Sequence, residues 1–438
     1  MRARCIVVGG GFAGIAAACR LAGDGHQPML LERSGRLGGR AASFRDPTSG
    51  EWVDDGHHVS MRCCTATHGL LQRIRVTAAI RYQPKMLVPI SYPEGQTSLR
   101  SVPFLPGALH VAPSLLGYRA ISVAERLRAL RAGAALLLPS RSRISFGAWL
   151  RGRRQGSRAI SRLWDPICIA TLNAHVEDVG FLGARTALRD GFLSPAGAGL
   201  GLFTRPLGEI FEAAREYIEA HGGEVRTASP VRRVHLEDSR ACAVEMTTGE
   251  TVETSAVIVA VASPDLGALL SDPSLRATIE VAERLAWSPI VDVHVWLDRP
   301  VLDDDFVVAV DGPVQAVFNV TRLHERTSDA GSHLVISQSA AVPWIDRSPD
   351  EIADALIEAL VEVAPAVREA RVERRFVIKH RQATFVPAPG VDARRPSAKT
   401  SIDGLYLAGD WTATGWPSTI EGAVRSGVAA AGRAELTL

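Results

Sequence analysis

Apolar and polar positions along the chain follow two periods, and the first forty residues set the scheme. Cys5 to Val8 is an uninterrupted apolar run of the kind that a buried strand shows. It opens into Gly9-Gly10-Gly11-Phe12-Ala13-Gly14, and an Ala-rich helix follows to about Ala22. After the turn Gly23-Asp24-Gly25-His26, a second strand from Met29 to Leu31 ends in Glu32. Strand, glycine turn, helix, strand and terminal acid in this order predict a βαβ dinucleotide unit. Gly9 permits the tight turn, Gly11 lets a pyrophosphate approach the backbone, and Gly14 lets the helix pack closely on its strand. Glu32 stands where a carboxylate accepts ribose hydroxyls.

Further along, Ser43-Phe44 and Trp52-Val53 read as short strands around a turn-rich Asp46 to Gly50, followed by the polar loop Asp54-Asp55-Gly56-His57-His58-Val59. Ser122-Val123-Ala124-Glu125 is a capping box, after which Val123, Leu127, Leu130, Ala134 and Leu137 share one helical face. Leu163 to Asn173 is apolar with Asp165 and Asn173 embedded in it, either as structural hydrogen-bonding groups or as ligands of something polar in a greasy cavity. Gly197 to Leu202 imitates a second nucleotide turn, but Leu202 replaces the third glycine. From Pro206 the pattern is α/β again. A helix spans Leu207 to Ala220, and strands lie at Val225 to Thr227, Pro230 to Leu236, Ala241 to Met246 and Thr251 to Val261. A second layer follows, with strands at Ile290 to Leu297, Phe306 to Val310 and Leu334 to Gln338 and a helix at Pro349 to Val363. The chain closes with a strand running into Gly409-Asp410 and a last helix opening near Thr419.

Composition changes this picture in three places. Hydrophobic residues at 46% and charged residues at 22% are ordinary for a globular protein, and a net charge of +2 argues against a general nucleic-acid binder. The six cysteines show no C-x-x-C or paired metal spacing, so no metal site is expected and a reduced, cytoplasmic interior is. Residues 119 to 162 hold eleven arginines against the single acid Glu125, among them Arg126, Arg128, Arg131, Arg141 and Arg143. Such a basic amphipathic helix fits an anionic membrane surface, and equally the solvated face of an ordinary core helix.

The run Arg33-Ser34-Gly35-Arg36-Leu37-Gly38-Gly39-Arg40 resembles the second glycine motif of the flavin amine oxidase and phytoene desaturase superfamily, where it contacts the FAD diphosphate. The whole set resembles the hydroxysqualene dehydroxylase branch of that superfamily: the opening fingerprint, Trp52 to His58, Leu163 to Asn173, Phe385 to Gly390, and Ala408 to Gly427. One departure is visible. That branch usually has Asn-Gly-Gln-His where this chain has Asp55-Gly56-His57-His58, so His57 stands in place of an amide.

The resemblance implies an α/β fold, a Rossmann-type FAD-binding domain interleaved with an α+β substrate-binding domain. Residues 1–65, 195–262 and 386–438 would form the first, and 66–194 and 263–385 the second, membrane-facing one. It implies FAD contacts from Gly9, Gly11, Phe12, Ala13, Gly14, Glu32, Arg33, Gly39, Arg40, Gly56, His57, His58, Val231, Gly409, Asp410, Thr419, Ile420, Gly422 and Ala423. Asp165 and His58 are the acid candidates. The implied reaction is reductive removal of the hydroxyl of hydroxysqualene, with a long-chain isoprenoid substrate, a hydroxysqualene synthase supplying it, and a peripheral seat on the inner membrane face. A carotenoid-type desaturase and a non-enzymatic prenyl-binding escort share the fold and are the alternatives.

Overall fold

The computed structural model describes residues 5–140, 142–325 and 331–438. Residues 1–4 of the opening segment and Arg141 of the basic run lie outside the described residues. A five-stranded parallel sheet runs in the order Glu224–Arg226, Met29–Leu31, Cys5–Val8, Ala256–Val259, Leu405–Leu407. Its three central strands are uniformly buried and almost wholly apolar, as strands covered on both faces must be. The opening helix Phe12–Gly23 packs on the closing helix Ile420–Ala434. Glycine at 427 permits this, since a Cβ there would sit 2.0 Å from the Ala13 carbonyl oxygen. Arg20 and Glu435 pair across the two helices at 2.8 Å.

A seven-stranded sheet forms the second layer, in the order Val372–Phe385, Trp287–Leu297, Ser332–Ser339, Ala316–Asn319, Phe306–Ala309, Leu87–Tyr92, Gly95–Arg100. The strand Val372–Phe385 carries no apolar alternation that sequence reasoning registers. It lies at the sheet edge, pairs along the whole of Trp287–Leu297, and keeps Arg374, Arg375, Lys379 and Arg381 at least partly exposed. Edge strands tolerate such charge because one side stays in water. The imitation nucleotide turn at Gly197 to Leu202 runs into the strand Leu200–Phe203, where a Cβ on Gly201 would strike the Tyr82 ring at 2.7 Å.

The capping box at Ser122 and Glu125 forms and starts the helix Val123–Leu137. Its core-facing residues are not the leucine stripe but Ala129, Ala132 and Leu136. Val123, Leu127 and Leu137 point into solvent. Leu163 to Asn173 forms a π-turn, Ile160–Trp164, continued by the helix Asp165–Leu172 and ended by Asn173 in a left-handed conformation, φ 51°. Among the described residues no helix is long and apolar enough to cross a membrane.

Candidate active site

The glycine turn shapes one wall of a cavity of about 1010 Å³ that continues into the second layer. Gly9 adopts φ +109°, and a Cβ on Gly14 would lie 1.8 Å from the Gly9 carbonyl oxygen, so helix and strand touch only because 14 is glycine. Gly11, by contrast, has nothing nearer than 3.9 Å to its missing Cβ and faces the cavity. No side chain caps the helix that Gly11 begins, which leaves its first amides to an anion. At the end of the second strand the Glu32 carboxylate accepts from the Gly10 and Ser34 amides at 2.6 and 2.8 Å. These bonds hold it in one orientation at the cavity wall. An open phosphate cradle beside a fixed carboxylate fits the diphosphate and ribose of FAD.

Phe12, Ala13, Arg33, Gly39, Arg40, Gly56, His57, His58, Val231, Gly409, Asp410, Thr419, Ile420 and Ala423 also line the cavity. Arg40 donates to the Ala383 carbonyl at 3.0 Å, pairs with Asp410 and lies over the Trp287 ring, so it ties the opening unit to the closing one. Burial pushes the Asp410 carboxyl up, but Arg40 and the Ser418 hydroxyl outweigh it and hold the group below its ordinary range. Arg33 is well exposed and pairs with Asp265 at 3.1 Å, at the rim. Two expectations need correction. Gly14 serves packing and is not a lining residue, and Gly422 spends its amide on the Thr419 hydroxyl at 3.1 Å, inside the helix cap.

The chemistry-bearing end is the loop Asp54 to His58, pressed against the strand Trp287–Leu297 of the second layer. Asp54 is buried and accepts from the Ser43 hydroxyl and the Leu207 amide; burial pushes it up to about 7, and its work is to anchor the loop. A Cβ on Gly56 would lie 2.4 Å from Oδ2 of Asp292, so the glycine admits that carboxyl. Asp292 lines the cavity at 2% exposure, with Oδ1 lacking a hydrogen-bond partner among the described residues. Burial raises it to about 7, against the Ser337 hydrogen bond and with help from the nearby Asp55 charge. Burial drives the neighbouring imidazoles the other way: His58 falls to about 4 and His57 well below its ordinary value. Asp55 is raised by burial and opposed by Arg36 at 3.4 Å and His380 at 3.9 Å. The cavity thus holds a carboxyl that keeps its proton about half the time near neutral pH, beside neutral histidines.

Asp165 fares differently from its reading as an acid. Its Oδ2 meets His175 Nδ1 at 2.7 Å and its Oδ1 accepts the Val176 amide at 2.8 Å, so both oxygens are committed to holding the following turn. Asn173 likewise bonds Ser288, Thr384 and the Ala340 amide and pins the helix to the sheet. Sequence reasoning missed Asp292, Ser337 and His380. Asp292 had a signal, a carboxylate set singly in Ile290-Val291-Asp292-Val293, where burial demands a reason. Beyond these groups the cavity is walled by Val88, Ile90, Leu163, Ile167, Phe192 and Phe306. Among the described residues no group of three or more His, Cys, Asp or Glu side chains is placed to hold a metal ion.

The family described as flavin containing amine oxidoreductase matches residues 12–434. The chain belongs to that family. It is an FAD-dependent oxidoreductase. The chain is 25% identical over 449 residues to a 15-cis-phytoene desaturase of Solanum lycopersicum, covering 96% of this chain and 76% of that one. It is 23% identical over 430 residues to a hydroxysqualene dehydroxylase of Zymomonas mobilis, covering 97% of each. In fold it is similar to a crystal structure described as a putative protoporphyrinogen oxidase of Exiguobacterium sp. 255-15, with TM-score 0.72, 18% identity and full coverage of both chains. This flavoenzyme architecture is the one the sequence motifs anticipate.

Proposed function

We propose that this family member reductively removes the hydroxyl group of hydroxysqualene, giving squalene. The observation that carries the reading is Asp292, a buried carboxyl raised to about 7 in an otherwise largely apolar cavity. An allylic C–O bond breaks only if the departing oxygen is protonated, and the ideal donor has a pKa near the working pH. Asp292 gives its proton to the hydroxyl oxygen, the C–O electron pair leaves with that oxygen as water, and a carbocation remains. Reduced FAD, when bound, supplies the hydride equivalent that this carbon needs. His57 and His58, neutral because they are buried, place no fixed positive charge beside the developing cation. The apolar walls keep water from capturing it. Glu32, the Gly11 cradle and the uncapped amides of the opening helix hold the cofactor, and Arg40 with Asp410 fixes the junction beside it.

Oxidative desaturation is the second reading, favoured by the similarity to phytoene desaturase. Anaerobic incubation of photoreduced holoprotein with hydroxysqualene tests the first: flavin reoxidation should accompany squalene one for one. Oxidised holoprotein that dehydrogenates phytoene, while the reduced form leaves hydroxysqualene untouched, would replace it.

A further inference from the structure

The described residues leave fourteen large apolar side chains exposed, and eight of them fall between Phe104 and Ile144. Phe104 is 84% exposed, Leu109 59% and Leu138 63%. The segments that carry most of them, the turn Gly107–Val111 and the helices Ala112–Leu116 and Val123–Leu137, pack on one another in series. On the longest helix, Val123, Leu127, Leu130, Ala134 and Leu137 fall within an arc of about 80° at 3.6 residues per turn. Buried Ala129, Ala132 and Leu136 fall on the opposite side. A helix that gives its alanines to the core and its leucines to the outside has inverted the usual amphipathic order.

Basic groups flank the arc. On the same helical projection Arg131 lies on one side and Arg126 on the other. Arg126 is held by the carbonyls of Leu116 and Ile121 at 2.8 and 3.0 Å, bonds that leave its charge uncompensated. Arg119, Arg128, Arg131 and Arg143 form no ion pair among the described residues, whereas Arg151, Arg158 and Arg162 of the same run do. The buried face of the helix meets the turn Ala187–Phe192, and Arg185 donates to the Leu136 carbonyl at 2.9 Å. Ala187, Gly191 and Phe192 line the cavity, so the exposed stripe stands roughly one helix thickness, about 10 Å, from it.

We propose that this surface, Phe104, Leu109 and Leu116 with the stripe from Val123 to Leu138, docks flat on an anionic lipid bilayer beside the cavity. Apolar side chains entering the interface with arginines at the headgroup level are what such a surface requires. A second copy of the chain fits poorly, because two such faces brought together oppose like charges.

The test is co-sedimentation of the FAD-loaded full chain with vesicles of phosphatidylcholine alone and of phosphatidylcholine with phosphatidylglycerol at about 7:3, at low and high salt. Because the vesicles carry no substrate, failure here is distinguishable from failure of the proposed reaction. The parent should bind the anionic vesicles, more weakly as salt rises. Arg128→Gln with Arg131→Gln should weaken that binding on the order of tenfold at low salt, while Leu127→Gln with Leu138→Gln should cost at least about fivefold at either salt. Both pairs lie on exposed positions and should keep FAD content and elution volume. A parent that sediments with neither vesicle, or variants that bind as the parent does, would overturn the proposal. So would a parent dimer that the leucine variant splits with no change in vesicle binding, which would assign the face to a second copy.

Discussion

Replacing Asp292 by Asn separates two consequences of one buried carboxyl. The side chain is 2% exposed, and burial carries it from an ordinary 3.8 to about 7. At 1.36 kcal/mol per pH unit the ionised group therefore weighs against the fold by roughly 4 kcal/mol. The sign follows from the protons bound. Between about pH 4 and 7 the folded chain keeps this proton and the unfolded chain has lost it, so stability falls as pH rises through that window and levels off above it. Asn is isosteric and carries no charge. Asp292→Asn should thus melt several degrees above the parent at pH 8 and close to it at pH 4, by thermal denaturation of the holoprotein at each pH. Turnover should move the other way. Loss of a general acid costs about 10²- to 10⁴-fold, and the parent's rate should decline above pH 7 while the residual rate of the variant shows no such limb. A variant that turns over within about twofold of the parent would remove Asp292 from the proton transfer. A parent rate that rises through pH 7 would make the carboxylate a base and favour desaturation.

Two further outcomes follow from the cradle. Glu32→Ala should weaken FAD by about 1 to 3 kcal/mol, the cost of leaving the ribose hydroxyls without their acceptor, measured by flavin fluorescence on dilution. Gly14→Ala should yield little folded, flavin-loaded protein, because its Cβ would meet the Gly9 carbonyl oxygen at 1.8 Å; normal recovery of yellow protein would show that the helix can shift away.

Features set by local chemistry were legible along the chain. A buried strand running into glycines, with a carboxylate at the end of the next strand, specifies the nucleotide unit, since Gly9 and Gly14 answer to backbone geometry within a few residues. The capping box at Ser122 was legible for the same reason. Which groups meet across distance came from packing. Asp292 reaches Gly56 because two layers pack together, and no spacing in the chain records that 236 residues bring them within contact. Asp165 in its apolar run was open to a structural or a ligand-binding role, and packing settled it on the structural one, since the following turn takes both its oxygens. The edge strand Val372–Phe385 was hidden because partial exposure removes the alternation that marks half-buried strands. Periodicity placed Val123, Leu127 and Leu137 on one helix face, but a period carries no direction. Packing turned that face outward, since alanines let the helix lie close to the core where leucines would not fit.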